Sequence, residues 1–100
     1  MDKEEITKLK RKLRRLHNKL TEIGPVMRGS IVMIGTRKKQ YHFSLNKDKK
    51  TRMLYLGDKR VETAREYSAN YKMMVEIIDE MTLINMTLLK ENAVNLIDAD

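Results

Sequence analysis

Apolar residues recur along the chain with two different periods, and the change of period divides it into three segments. Near the amino end they follow one another at spacings of 3, 4, 3, 4 and 3, at Ile6, Leu9, Leu13, Leu16, Leu20 and Ile23. This heptad spacing predicts a helix over residues 3–23 whose apolar seam needs a helical partner. Gly24 is placed as the left-handed residue after the helix, and Pro25 cannot continue it.

The second segment, residues 28–57, has the period of two that is typical of strands. Tyr41, Phe43 and Leu45 alternate with polar residues over positions 40–46, and shorter apolar runs occupy 30–34 and 51–56. The connections at 35–39 and 47–50 are short enough for hairpins. We predict a three-stranded antiparallel meander, with a two-stranded sheet and an irregular 30–34 as the alternative. Core packing is favoured over base stacking for the aromatic residues.

The third segment predicts a long helix over residues 58–95, with Asp58 as its N-cap. Two neighbouring apolar stripes follow its length, formed by Tyr67, Tyr71, Met74, Ile78, Met81 and Leu88 and by Ile77, Met81, Ile84 and Leu88. Together they are wider than one coiled-coil seam, so the helix is expected to cover both the sheet and the first helix. The predicted fold class is α+β, one domain over residues 1–100, with the helices packed as an antiparallel coiled-coil hairpin.

The two predicted helices differ in length. At about 1.5 Å per residue the last helix spans over 50 Å and the first about 30 Å. The far end of the last helix is therefore expected to expose apolar surface that a second copy covers. We predict a homodimer through Met81, Asn85 and Leu88, in which Asn85 is the polar seam residue that fixes register.

Positive and negative residues are unevenly distributed along the chain, and this distribution bears on the partner. The net charge is +7, but residues 1–60 hold 18 Lys/Arg against 6 Asp/Glu, and residues 61–100 hold 3 against 8. This asymmetry indicates a polyanion partner or self-association of unlike surfaces. The chain has no cysteine, no apolar run of membrane-spanning length and no apolar leader, so the predicted location is the cytoplasm, away from the membrane.

The basic residues fall into three groups: the first helix, the first connection and the second connection. We predict that they bind nucleic-acid phosphates by charge and shape, without a recognition helix. An acidic protein partner and a merely solvated surface are the two alternatives. The predicted contact residues are Lys8, Arg11, Lys12, Arg15, Arg37, Lys38, Lys39, Lys49, Lys50 and Arg52.

The order of several short motifs along the chain resembles the order found in a known protein family. They are residues 27–32 (MRGSIV), 41–45 (YHFSL), 50–52 (KTR), 55–56 (YL) and 70–72 (NYK). Over residues 25–90 the chain resembles a family of short prokaryotic proteins of unassigned function that are often encoded beside transposases. The resemblance implies a mobile-element or viral neighbourhood and favours a nucleic-acid partner. Family members carry a cysteine-containing insertion where this chain has only residues 36–39, which argues against a metal role.

The residue types and spacings in the chain give little support for a catalytic function. The chain has two histidines, no Gly-rich phosphate loop and no zinc-ligand spacing, so we predict no enzyme, no cofactor and no metal. The predicted function is that of a non-catalytic nucleic-acid-binding accessory protein of a mobile element or virus. The alternative is a small protein-interaction module or inhibitor whose basic surface docks on a host protein.

Overall fold

A computed structural model describes residues 1–91 of the chain. Its elements are, in order, α1 (Lys3–Glu22), β1 (Ser30–Ile34), β2 (Gln40–Lys47), β3 (Lys50–Tyr55) and α2 (Gly57–Lys90). The three strands form one antiparallel sheet in the order β1-β2-β3, so the predicted α+β class and the meander are confirmed. The described chain divides into two compact units. We name residues 1–23 with 73–91 the helical unit and residues 24–72 the sheet unit.

The helical unit is built on the predicted apolar seam of α1. Asp2 caps the helix, since its Oδ1 accepts a 2.8 Å hydrogen bond from the backbone N–H of Glu5. Leu13 and Leu16 are buried in one cluster with residues of α2: Ile77, Ile84 and Leu88. The Met1 ammonium lies 3.8 Å from the Glu91 carboxylate, which places the start of α1 beside the end of α2. The antiparallel packing of the two helices through shared apolar side chains follows from these contacts.

The predicted helix ends need correction at two places. α1 ends at Glu22, and Ile23 is already extended, with φ −66° and ψ 133°. Gly24 is not left-handed, because the proline that follows it favours an extended conformation. α2 begins at Gly57, so Asp58 lies in its first turn and is not the residue before it. α2 ends at Lys90 with Glu91 in a turn, and the predicted continuation over 92–95 lies outside the described residues.

The predicted dimer contact at Leu88 is wrong. Leu88 is 1% exposed and belongs to the core that α1 and α2 share within one chain. Only residues 73–91 of α2 lie in the helical unit, about 28 Å of helix, and α1 at about 30 Å is long enough to cover them. Met81 packs against the same cluster and Asn85 is half-buried. The apolar side chains exposed on this part of α2 are Met73, Ile78, Leu83, Met86 and Leu89.

The core of the sheet unit lies between the sheet and the first half of α2. Phe43 pairs with Ile31 on one side and with Leu54 on the other. It is buried with residues at and after the start of α2: Leu56, Val61 and Ala64. Tyr41 and Leu45, which share the face of Phe43, pack partly buried against the same cluster. The predicted core role of this strand face is confirmed.

The segment before β1 is fixed by hydrogen bonds to α2. The backbone N–H of Met27 donates to the Tyr67 carbonyl at 3.1 Å, and the Asn70 amide donates to the Pro25 carbonyl at 2.9 Å. Gly29 then approaches β2 so closely that a Cβ there would meet the Ser44 carbonyl oxygen and lie 2.7 Å from the Phe43 ring. A side chain at position 29 is therefore excluded by packing.

We expect Gly29→Ala to lower the free energy of unfolding by about 1–3 kcal/mol, the usual cost of overpacking a close contact. Gly24→Ala is the matched control, because its Cβ would meet nothing closer than the Asn70 amide nitrogen at 3.5 Å. That change should be neutral or stabilise the fold by up to about 1 kcal/mol through the unfolded chain. Urea unfolding of both variants measures the difference, and equal losses would contradict the packing assigned to Gly29.

Candidate nucleic-acid interface

Four of the predicted contact residues share one face of α1. Lys8, Arg11, Lys12 and Arg15 recur at spacings that bring residues of successive turns together, and all four line a shallow groove of about 570 Å³ in the helical unit. Met1, Glu5 and Leu9 complete the lining of this groove. The structure thus brings this predicted group together as a single basic face.

The loop between β1 and β2 carries the second predicted group. It bends tightly at Gly35, whose φ is 139° and whose Cβ, if present, would meet the Lys38 carbonyl oxygen. Arg37, Lys38 and Lys39 are all exposed. They lie at the end of the sheet where β1 passes into β2.

The turn between β2 and β3 carries the third group and has unusual backbone geometry. Asp48 and Lys49 both have left-handed conformations, with φ of 54° and 63°, as a two-residue hairpin of the primed type requires. A left-handed backbone is unfavourable for a lysine, for which Asn or Gly would be the common choice. The turn therefore carries local strain, and such strain clusters at functional sites in proteins.

Like charges face each other at the base of this turn. Lys47 and Lys50 are direct cross-strand partners, an arrangement that destabilises a sheet. Arg52 stands two residues further along β3, on the same face as Lys50. We name Lys47, Lys49, Lys50 and Arg52 the hairpin cluster. Neither lysine of the facing pair has a carboxylate partner among residues 1–91.

The two basic connections stand apart, as the meander predicts. β2 has eight residues, so its ends lie about 24 Å apart at the usual rise of a strand. Arg37–Lys39 and the hairpin cluster are therefore too far apart to form one compact basic patch.

Arg28 lies near the hairpin cluster and was not among the predicted contact residues. Its Nη1 donates a 3.3 Å hydrogen bond to the Asn46 carbonyl, near the turn. It also lines a groove of about 670 Å³ on the helix-facing side of the sheet, with Lys47, Arg52, Met27, Phe43, Leu45, Met53 and Leu54. Sequence alone did not reveal this position, because Arg28 and Asn46 are 18 residues apart.

The charge of the sheet unit exceeds that of the whole chain. Residues 24–72 hold 12 Lys/Arg and 4 Asp/Glu, a net of +8 against +7 for all 100 residues. Within this range the structure has one ion pair, between Arg65 Nε and Glu62 Oε1 at 3.4 Å, and both side chains are at least half exposed. The positive charge of the sheet unit is therefore left open to solvent and to an anionic partner.

Residues 1–91 contain neither a metal-binding group of side chains nor a helix of membrane-spanning character. No group of three or more His, Cys, Asp or Glu residues there is placed to hold a metal ion. Neither helix, over the range that the structure describes, is long and apolar enough to cross a membrane.

Comparison of the chain with protein-family models, with curated proteins and with solved structures found no match in any of the three. The resemblance to the transposase-associated family therefore stays a prediction, as do the functions that it implies.

We expect Lys50→Glu to raise the free energy of unfolding by about 0.2–1 kcal/mol, because an unlike pair replaces the like pair with Lys47. Thermal unfolding at low salt measures this gain, which should shrink as salt screens the pair. Lys38→Glu is the control: it removes the same charge from the same unit, at an exposed position outside the strands. Equal shifts for the two variants would show that general charge relief, and not the facing pair, is responsible.

Proposed function

We propose that the protein is a non-catalytic nucleic-acid-binding accessory protein that holds phosphates with the hairpin cluster, the Arg37–Lys39 loop and the basic face of α1. The observation that carries this proposal is the facing pair Lys47 and Lys50 beneath a strained Lys49. Like charges placed opposite one another, with no ion pair to a carboxylate among residues 1–91, reduce the stability of the free protein. A phosphate backbone bound across them supplies the missing negative charge.

The chemistry of these groups suits phosphates better than bases. Exposed lysines and arginines gain affinity by releasing counterions from the backbone, which is independent of sequence. Phe43, one of the aromatic residues considered for stacking, is only 7% exposed in the core, so it is not available to stack on bases, whereas Tyr55 is 47% exposed. We therefore propose recognition by shape and charge. A setting in the cytoplasm and in a mobile element or virus belongs to the same proposal.

A titration against labelled duplex DNA, single-stranded DNA and RNA at two salt concentrations tests the proposal. Wild-type protein is expected to bind at least one of them with micromolar or tighter affinity that falls steeply with salt. Replacing Lys49, Lys50 and Arg52 together with Gln should lower the salt slope for duplex DNA by about 3, close to one for each phosphate that is no longer neutralised. The loop triple Arg37, Lys38 and Lys39→Gln should have a similar effect.

The control for both triples removes three charges elsewhere. Lys3, Lys19 and Lys90 are exposed lysines of the helical unit outside the predicted contact set. Their combined replacement with Gln gives the same net charge of +4 as either triple, but should retain most of the affinity. An equal loss of nucleic-acid affinity in all three variants would mean that binding depends on net charge alone. No binding at low salt to any of the three nucleic acids would reject the proposed function.

A protein-interaction role is the second candidate, and an exposed apolar stripe on α2 favours it. Val75, Ile78, Thr82, Met86 and Leu89 recur at spacings of 3 or 4 and contain no charge, in a chain that is 35% charged. We name these five residues the outer stripe. Ile78, Met86 and Leu89 are 43%, 60% and 75% exposed, although the neighbouring face of α2 packs on α1. Such a stripe is typical of a surface that another helix covers.

We propose a second copy of the chain as the partner of the outer stripe. Residues 1–23 hold 8 Lys/Arg against 4 Asp/Glu, whereas residues 73–91 hold 1 against 4. In a four-helix arrangement of two helical units, the basic α1 of each copy lies beside the acidic helix of the other. An uncharged stripe is also self-complementary, which the isologous contact of a two-fold dimer requires.

We expect the protein to sediment as a dimer at micromolar concentration and Leu89→Glu to shift it towards monomer, with at least a roughly tenfold weaker dimer, because the change places charge in the outer stripe. Leu83→Glu is the control. Leu83 is 64% exposed but lies about 100° around the helix from Thr82, outside the outer stripe. Sedimentation velocity compares the three proteins. A monomeric wild type, or equal effects of the two substitutions, would contradict this interface.

A further inference from the structure

We infer that the groove between β1 and α2 in the sheet unit is a binding site for a phosphate group of the nucleic-acid backbone; this inference rests on the proposed function. The groove has a volume of about 490 Å³, within the range of small-molecule sites. Its lining consists of Gly29, Ser30, Ile31, Arg65, Ser68, Ala69 and Lys72.

The α2 side of the groove presents donors on one helical face. Arg65, Ser68 and Lys72 are spaced by 3 and 4 residues, so they lie above one another on successive turns. Lys72 is exposed and forms no ion pair among residues 1–91. Two cations with a hydroxyl between them supply the charge-assisted hydrogen bonds that bind phosphate oxygens.

Arg65 is held in position by contacts that leave its terminal nitrogens open. Its guanidinium lies 5.5 Å from the centre of the Tyr41 ring, in a cation–π arrangement. Only its Nε contacts Glu62, and the Glu62 side chain is 82% exposed, so this ion pair is weak in water. Nη1 and Nη2 have no hydrogen bond within the described residues, and they are the atoms that bind phosphate in pairs.

The β1 side of the groove is preformed by backbone contacts. The hydrogen bonds from Met27 to Tyr67 and from Asn70 to Pro25 fix the incoming segment on α2. Gly29 has no side chain to obstruct the groove, and packing excludes a Cβ there. Ser30 also lines the groove, and no carboxylate does. An anion entering the groove therefore meets no opposing acidic side chain.

The position of the groove ties it to the nucleic acid of the proposed function. Arg28, which reaches the hairpin turn through Asn46, directly precedes Gly29. Ser30 pairs with Ser44, which lies three residues, or about 10 Å of strand, before Lys47 of the hairpin cluster. A backbone that is bound at the hairpin cluster therefore reaches the groove with a nearby phosphate.

Two measurements on Lys72→Gln test the inference. Lys72 is exposed and forms no ion pair among residues 1–91. Lys59→Gln is the control, since Lys59 is an exposed lysine of the same helix that does not line the groove. The first measurement titrates inorganic phosphate into ¹⁵N-labelled protein. Amide shifts are expected at residues 29, 30, 68 and 69 in the wild type and in Lys59→Gln. Phosphate should bind Lys72→Gln at least about tenfold more weakly, because a cation that pairs with phosphate has been removed.

The second measurement is the salt dependence of nucleic-acid binding. Lys72→Gln should lower the salt slope by about one for duplex DNA, or about 0.7 for a single strand, and Lys59→Gln by less than half as much. Nucleic-acid binding with the same slope in Lys72→Gln as in Lys59→Gln, and no phosphate shifts in the groove, would overturn the site and leave the proposed function standing. Phosphate shifts without any nucleic-acid binding would support the phosphate site and reject the nucleic-acid backbone as its source.

Discussion

Burial of two separate apolar clusters on one continuous helix is the constraint on which the described structure depends. Val61 and Ala64, early in α2, pack with Phe43 of the sheet. Ile77, Ile84 and Leu88, later in α2, pack with the seam of α1. A single amphipathic helix is at most marginally stable alone in water, and a three-stranded sheet without a helix leaves its apolar face uncovered. α2 supplies that missing surface to both units, which explains why it runs for 34 residues without a break.

Because the cores of both units are apolar, the charged groups are left on the surface. No polar or charged residue is buried among residues 1–91. Apart from the exposed Arg65–Glu62 pair, the cations of the sheet unit form no ion pair within residues 24–72, and the facing Lys47 and Lys50 oppose the stability of their hairpin. The proposed anionic partner would relieve this repulsion on binding. The proposed nucleic-acid contact and the groove between β1 and α2 are two consequences of the same unneutralised surface.

The exposed apolar residues of α2 have a different origin. The helical unit contains only two helices within the described residues, and two helices bury one seam between them while the outer surfaces stay in water. Leu88 occupies that seam, and Leu89, one residue later, faces away from it. A homodimer through the outer stripe would complete a four-helix core. The outer stripe shares no residue with the hairpin cluster or the Arg37–Lys39 loop, so a dimer and nucleic-acid binding at these two groups are compatible proposals.

The sequence by itself determined the elements and their internal faces. The heptad spacing from Ile6 to Ile23 predicted α1, and the alternation around Phe43 predicted β2, because both signals are local and repeat with the geometry of the backbone. The basic groups on α1 and in the two connections were found in the same way. Tertiary structure alone decided which apolar residues are buried and which cations meet. Leu88 is buried because α1 packs against the last part of α2. Arg28 lies near the hairpin turn because it donates a hydrogen bond to Asn46, which is 18 residues away in the sequence. Arg65 and Lys72 joined Gly29 and Ser30 for the same reason: contacts between distant residues follow from the packing of whole elements, which local periodicity does not encode.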